Sequence, residues 1–179
     1  ENRTVGPTLG QDSKEKSIKA FLIGIAAIYV FMLIFYRLAG IVADIALLLY
    51  VMLLLLVMRY LGATLTLPGI AGIILSIGMA VDANVLIFER FKEEIRKGKT
   101  LRSSIASGFS RAIVTILDSN ITTLMAAAIL FYLGTGPIKG FAVTLALGTL
   151  LSMFTAVTVT KFLLQFLVFA NFTKNPAWF

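Results

Sequence analysis

The sequence predicts an all-α fold, a polytopic membrane helix bundle with five transmembrane helices plus a cytoplasmic amphipathic helix, and three observations predict it. Of 179 residues, 59% are hydrophobic and 14% charged, and mean hydropathy is +0.95, too apolar for a water-soluble domain of this size. The apolar residues gather into runs, several of which are long enough to span a bilayer. The basic residues behind the net charge of +7 flank those runs, as membrane topology requires, instead of forming a face for nucleic acid.

The absence of Cys and His excludes disulfides, thiolate metal sites and the usual neutral-pH proton carrier. A proton relay here has to use carboxylates, hydroxyls or water. No nucleophile-base pair, metal cluster or nucleotide loop points to an enzyme, and neither a cofactor nor a metal is expected.

Residues 1–16 are polar, with Gly6-Pro7 and Gly10 as punctuation, and read as an extended lead-in to the membrane. The start at Glu1, without Met or a signal pattern, suggests a piece of a longer polypeptide. The first span covers about 18–38, closed by Arg37, which either anchors the helix by snorkelling or exchanges charge with a carboxylate on another helix. The second covers 41–60, with Asp44 one turn in, and the tight Ala39-Gly40 turn makes the two antiparallel. Pro68 suits the first turn of the third span, 68–88. There Gly69, Gly72, Ser76, Ala80 and Ala83 form a small-residue stripe for close helix approach, and Gly78 sits one turn above Asp82.

Asp82 is the ionisable residue of that span, roughly 21 Å in from Pro68 and about 10 Å short of Glu89 along the axis. A carboxylate at such depth is costly, so it faces protein or water and is a candidate for function; a structural Asp bonded to a neighbouring helix is the alternative. Burial disfavours its charged form, and cycling between protonated and ionised forms could bias two helix packings.

Residues 89–118 are expected to be a cytoplasmic loop with an interfacial helix, Leu101, Ile105, Phe109 and Ile113 on its apolar face. A short fourth span, 120–133, follows Asp118, which reads as a helix cap. Asp118-Ser-Asn120 echoes Asp82-Ala-Asn84. After the Gly134–Gly140 linker the last span covers 141–168, where Gly140, Thr144, Gly148, Ser152, Ala156 and Thr160 make a ridge every four residues; Thr144 and Ser152 are its water-holding candidates. Residues 169–179 form a tail. Basic residues number 10 on the side of the 89–118 loop and 6 on the other, which makes that loop and the tail cytoplasmic.

Gly78-Met-Ala-Val-Asp-Ala-Asn-Val-Leu-Ile-Phe-Glu-Arg-Phe-Lys-Glu-Glu94 resembles the fourth-helix signature of the SecD family of bacterial protein-export subunits. Arg3–Gly10, Leu61–Gly69, Asp118–Leu124 and Gly134–Gly140 fall in order where that family has similar segments. The resemblance implies a half-bundle of the resistance-nodulation-division (RND) type in the bacterial inner membrane, with 1–16 ending an extracytoplasmic domain. It implies SecF, the SecYEG translocon, preproteins and the lipid bilayer as partners, with YidC a further candidate. Proton flow through Asp82, with Asn84, Asp118, Asn120 and Arg37 as coupling residues, would drive late preprotein translocation. A lipid or drug exporter of the wider superfamily and a non-conducting translocon scaffold stay open, as does H⁺ against Na⁺.

Overall fold

A computed structural model describes residues 7–62 and 66–169, and everything described is helix or short connection, without strands. The helices are α1 (Pro7–Tyr60), α2 (Leu67–Arg96), α3 (Leu101–Leu133), α4 (Gly136–Phe154) and α5 (Lys161–Phe169), the last two joined by a π-helical turn, Thr155–Thr160. Four stretches are long and apolar enough to cross a membrane: Glu15–Tyr60, Leu67–Arg96, Leu101–Leu133 and Gly136–Phe169.

Residues 7–16 are helical, not extended, Pro7 opening the first turn as its fixed φ allows. α1 is not straight: Arg37 takes φ 43° and ψ −112°, and a Cβ placed on Gly40 would overlap the Met32 carbonyl. In a straight helix those residues lie about 12 Å apart along the axis. The chain therefore doubles back at Arg37, and only a residue without a side chain fits at Gly40.

Thr66 caps α2, its hydroxyl accepting from Gly69 N at 3.1 Å, with Pro68 in the first turn. Gly98, at φ 82°, turns the chain into α3, which Thr100 caps by accepting from Ser103 N at 3.4 Å.

α3 differs from expectation. It runs unbroken through Asp118, so Asp118 is no helix cap and 101–117 is no separate helix. Its apolar face, Ile105, Phe109, Ala112 and Ile116, is buried within the protein; at Gly108 a Cβ would stand 2.9 Å from Phe91 backbone atoms. A lipid surface is not what covers it. The linker before α4 is also shorter than expected, only Gly134 and Thr135 lying outside helix.

The two small-residue stripes mate. Gly72 meets Thr144, and Ser76 meets Gly148 four residues on in both helices, so α2 and α4 run parallel. Tyr50 of α1 closes the junction: fully buried, its hydroxyl donates to Ser76 Oγ at 2.8 Å, and Ser76 Oγ donates to Ile73 O at 2.8 Å. Gly78 stands apart. Nothing lies within 4 Å of a Cβ built there, so Gly78, which its small size also made a candidate for helix packing beside the stripe, is an open-face glycine among the described residues. Thr144 and Ser152 are buried with their hydroxyls returned to their own helix, at Phe141 O (2.9 Å) and Thr149 O (2.8 Å), so they pack rather than offer a water site.

Candidate functional site

The face of α2 that carries Gly78 and Asp82, one turn apart, is turned away from α4. Asp82 is exposed on it instead of being enclosed by this chain's own helices. It lines a cleft of about 500 Å³ between α2 and α3, together with Glu89, Thr115, Ser119, Asn120 and Thr123.

The two Asp-x-Asn pairs are crossed by this geometry. Residues two apart on a helix point about 200° apart, so Asp82 and Asn84 cannot share a face. Asn84 is buried against the α4 side, its Oδ1 accepting from Thr160 Oγ1 at 2.7 Å. In α3 the roles are exchanged: Asn120 is buried at the cleft, while Asp118 is exposed and absent from its lining. The structure thus brings Asp82 to Asn120, and sends Asn84 to Thr160.

The cleft is mostly apolar, with Met79, Val85, Leu86 and Ile116 in its walls, and its polar groups are few. Ser119 Oγ donates to Ile116 O at 3.1 Å and Thr123 Oγ1 to Ser119 O at 3.2 Å, while Asn120 Nδ2 donates to Ile116 O at 2.8 Å. Asn120 keeps a second amide hydrogen and its Oδ1 for the cleft, and the two carboxylates make it an environment suited to a cation or to ordered water and not to an anion. Among the described residues no group of three or more His, Cys, Asp or Glu could hold a metal ion.

Arg37 lies at the α1 bend. Its neighbour Tyr36 packs on Phe88, ring centroids 5.6 Å apart, and Lys92 Nζ sits 4.3 Å over the Tyr36 ring. That sets Arg37 level with residues 88–92, about 9–15 Å along the axis from Asp82.

Sequence reasoning missed Glu89 as a wall of the cleft, although its spacing of seven from Asp82 puts both on one helical face. It missed the Thr115, Ser119, Thr123 ridge, whose four-residue spacing was there to be read. It also missed Glu94. This side chain, beyond the apolar stretch that ends at Phe88, is 1% exposed, with Lys97 Nζ 2.8 Å, Lys99 Nζ 2.5 Å and Arg111 Nη1 3.2 Å from its oxygens. Lys97 and Lys99, with Arg111, hold its carboxyl at about 2, well below the usual range, against the opposing effect of burial. The cluster ties the start of α3 to the end of α2. Asp44 is outside the cleft, with Oδ1 buried and unbonded among the described residues.

Residues 1–170 match the family model for "Protein export membrane protein SecD/SecF, C-terminal". The chain is 78% identical over 179 residues to the protein translocase subunit SecD of Acidaminococcus fermentans, covering all of this chain and 43% of that protein. It is 56% identical over 181 residues to that of Synechocystis, covering 38% of it. Its structure is similar to that of SecDF, a translocon-associated membrane protein from Thermus thermophilus, with a TM-score of 0.92 and 47% identity over 96% of this chain and 24% of that one. The chain spans less than half the length of these relatives. With its Asp82 helix, its mated α2 and α4 and nearly its whole length covered by one family model, the chain belongs to the SecD/SecF family of protein-export membrane proteins.

Proposed function

We propose that this chain is the membrane motor part of a Sec protein translocase subunit, in which Asp82 binds and releases the coupling ion, a proton in the simplest chemistry. The observation that carries the reading is the exposure of a carboxylate at span depth, beside an open glycine, on a cleft shared with Glu89 and with the hydroxyls and amide of Thr115, Ser119 and Asn120. An intramembrane carboxylate left open to lipid is unfavourable by about 2.5 kcal/mol or more, so this face calls for water and a second helical surface. A SecF bundle is the partner the family suggests, with SecYEG and YidC as neighbours and preproteins handled by domains outside this chain.

The sharp bend at Arg37 supports counting α1 as two crossings, giving five with α2, α3 and the α4–α5 rod. Seven basic residues between Arg90 and Arg111 support a cytoplasmic α2–α3 connection and tail in a bacterial inner membrane. A proton moving down the membrane potential releases roughly 2.3 kcal/mol per 100 mV, enough to bias two packings of α3 on the α2–α4 pair. Asn84, Asp118 and Arg37 would then act indirectly, through packing, an exposed outer face and the α1 bend, while Asn120 would act at the cleft itself.

The test is ion-gradient-dependent preprotein export by the full-length Asp82→Asn variant in membranes lacking the native complex, with membrane level and partner association measured. Loss of export with normal assembly is expected. Normal export would overturn the motor reading and favour a scaffold.

A further inference from the structure

We propose that Glu89 is the cytoplasmic station of the ion path: it takes up the proton that Asp82 releases and hands it to bulk water, with Lys92 and Tyr36 as its latch. The proposal deepens the Asp82 reading and rests on it.

Both carboxylates line the same cleft, on one face of α2 and two turns apart, about 10 Å along the axis. A proton does not cross that distance in one hop. The facing wall, however, carries Thr115, Ser119 and Asn120, and the cleft, about 500 Å³ in volume, holds several waters at roughly 30 Å³ each. Glu89 is the first residue beyond the apolar stretch ending at Phe88, so the cleft joins span depth to the membrane surface.

At that end Glu89 is held loosely. Lys92 Nζ lies 3.8 Å from Glu89 Oε1, longer than a hydrogen-bonded pair, and the same ammonium rests 4.3 Å over the Tyr36 ring, whose hydroxyl faces the Glu89 carboxylate. Arg90 is occupied by Glu93, at 3.1 Å. The charged and titratable groups about Glu89 are thus Lys92, Tyr36 and, down the cleft, Asp82, with Arg37 the other cation at this end of α1. The lysine keeps a second resting place on the ring when Glu89 is neutral, so a proton can arrive without leaving the ammonium stranded. In the step itself, the Asp82 O–H bond breaks, the proton moves through cleft water, and an O–H bond forms on Glu89. Its loss to cytoplasmic water restores the carboxylate and its pairing with Lys92. Tyr36 directly precedes the Arg37 bend.

The test uses the full-length protein with its partner subunit in inverted membrane vesicles, following proton movement under an imposed gradient. This chain has no Cys, so Glu89→Cys, with any cysteine elsewhere in the full protein replaced, offers a single thiol at a half-exposed position. Conduction is expected to fall on the order of a hundredfold, as when a positioned proton-transfer group is lost. Iodoacetate, which rebuilds a carboxylate there, is expected to restore it, and iodoacetamide, of similar size but neutral, is not. Rescue by both reagents or by neither overturns the proposal in favour of a packing role. Conduction by Glu89→Cys at the wild-type rate, with Asp82→Asn inactive, overturns it while leaving the Asp82 reading in place. Wild-type conduction by Asp82→Asn overturns that reading instead.

Discussion

Replacing Gly148 by Ala tests the packing that holds α2 and α4 together. The added Cβ would stand 2.5 Å from Ser76 Oγ and 3.0 Å from Tyr50 Oη, with Ser76 Cβ closer still. Real Cβ atoms do not approach Oγ so closely, so either the helices separate or Ser76 turns away. Inserting a methyl into a packed core costs about 1–3 kcal/mol. If Ser76 turns away, the buried Tyr50 hydroxyl also loses its acceptor, worth about 0.6–1.7 kcal/mol between membrane helices. The two together give about 1.6–4.7 kcal/mol, roughly 15- to 2,000-fold in the unfolding equilibrium at 1.4 kcal/mol per tenfold. The assay is reversible unfolding of the full-length protein in mixed micelles of mild detergent and SDS. Ser76→Gly combined with Gly148→Ala removes the colliding atoms, and this double variant is expected to recover all but about 1 kcal/mol. A single variant within 0.5 kcal/mol of wild type, or a double variant as unstable as the sum of the singles, would refute the reasoning.

Thr160→Val leaves Asn84 buried without its donor and is expected to cost about 1–3 kcal/mol, whereas adding Asn84→Ala to it costs less than the two singles summed; a double-mutant cycle in the same micelles measures the coupling. Glu94 carries a pH prediction: its carboxyl titrates at about 2 when folded against 4.5 for the free side chain, so its stabilisation is fully present above about 4.5 and lost as pH falls through about 2. Amide protection of the α2–α3 turn, followed by hydrogen exchange after correction for intrinsic rates, should hold steady from pH 8 to 5 and fall below 4.5. Glu94→Gln should expose Lys97 and Lys99 to trypsin at neutral pH without altering the mixed-micelle unfolding of the α2–α4 pair.

What could be read from the sequence was whatever depends on local spacing. The stripes through Gly72 and Ser76 and through Thr144 and Gly148 follow from four-residue periodicity, and the structure lays them against each other. Pro68 marked the start of α2 by its own chemistry, while the caps at Thr66 and Thr100 were there to be read and went unread. Asp82 was visible because a lone carboxylate deep in an apolar run is costly unless protein or water receives it. The rest depended on long-range partners. Asp118 resembles a cap by every local rule, yet α3 continues past it because Ile105 to Ile116 already commit the helix to packing inside the protein. Asn84 and Asp82 were grouped because they are two apart in sequence, and a helix sends such residues to opposite sides. Tyr50 and Glu94 gave no signal at all, since the atoms that make them matter come from other helices or from across a turn.

The π-helical turn at Thr155–Thr160 carries a consequence for insertions and deletions. The turn lies between Gly148, which meets Ser76, and Thr160, which meets Asn84, and it takes up one extra residue between those two contacts. A π-helical turn carries one residue more than the α-helical turn it stands in for, so deleting a single residue there, Val157 for example, would let the segment relax to α geometry with little change in the facing of α5, and Leu164 would stay enclosed. The same deletion in the middle of an unbroken helix such as α2 swings all that follows by about 100°. A one-codon deletion in the π turn should therefore be far less harmful than one in α2.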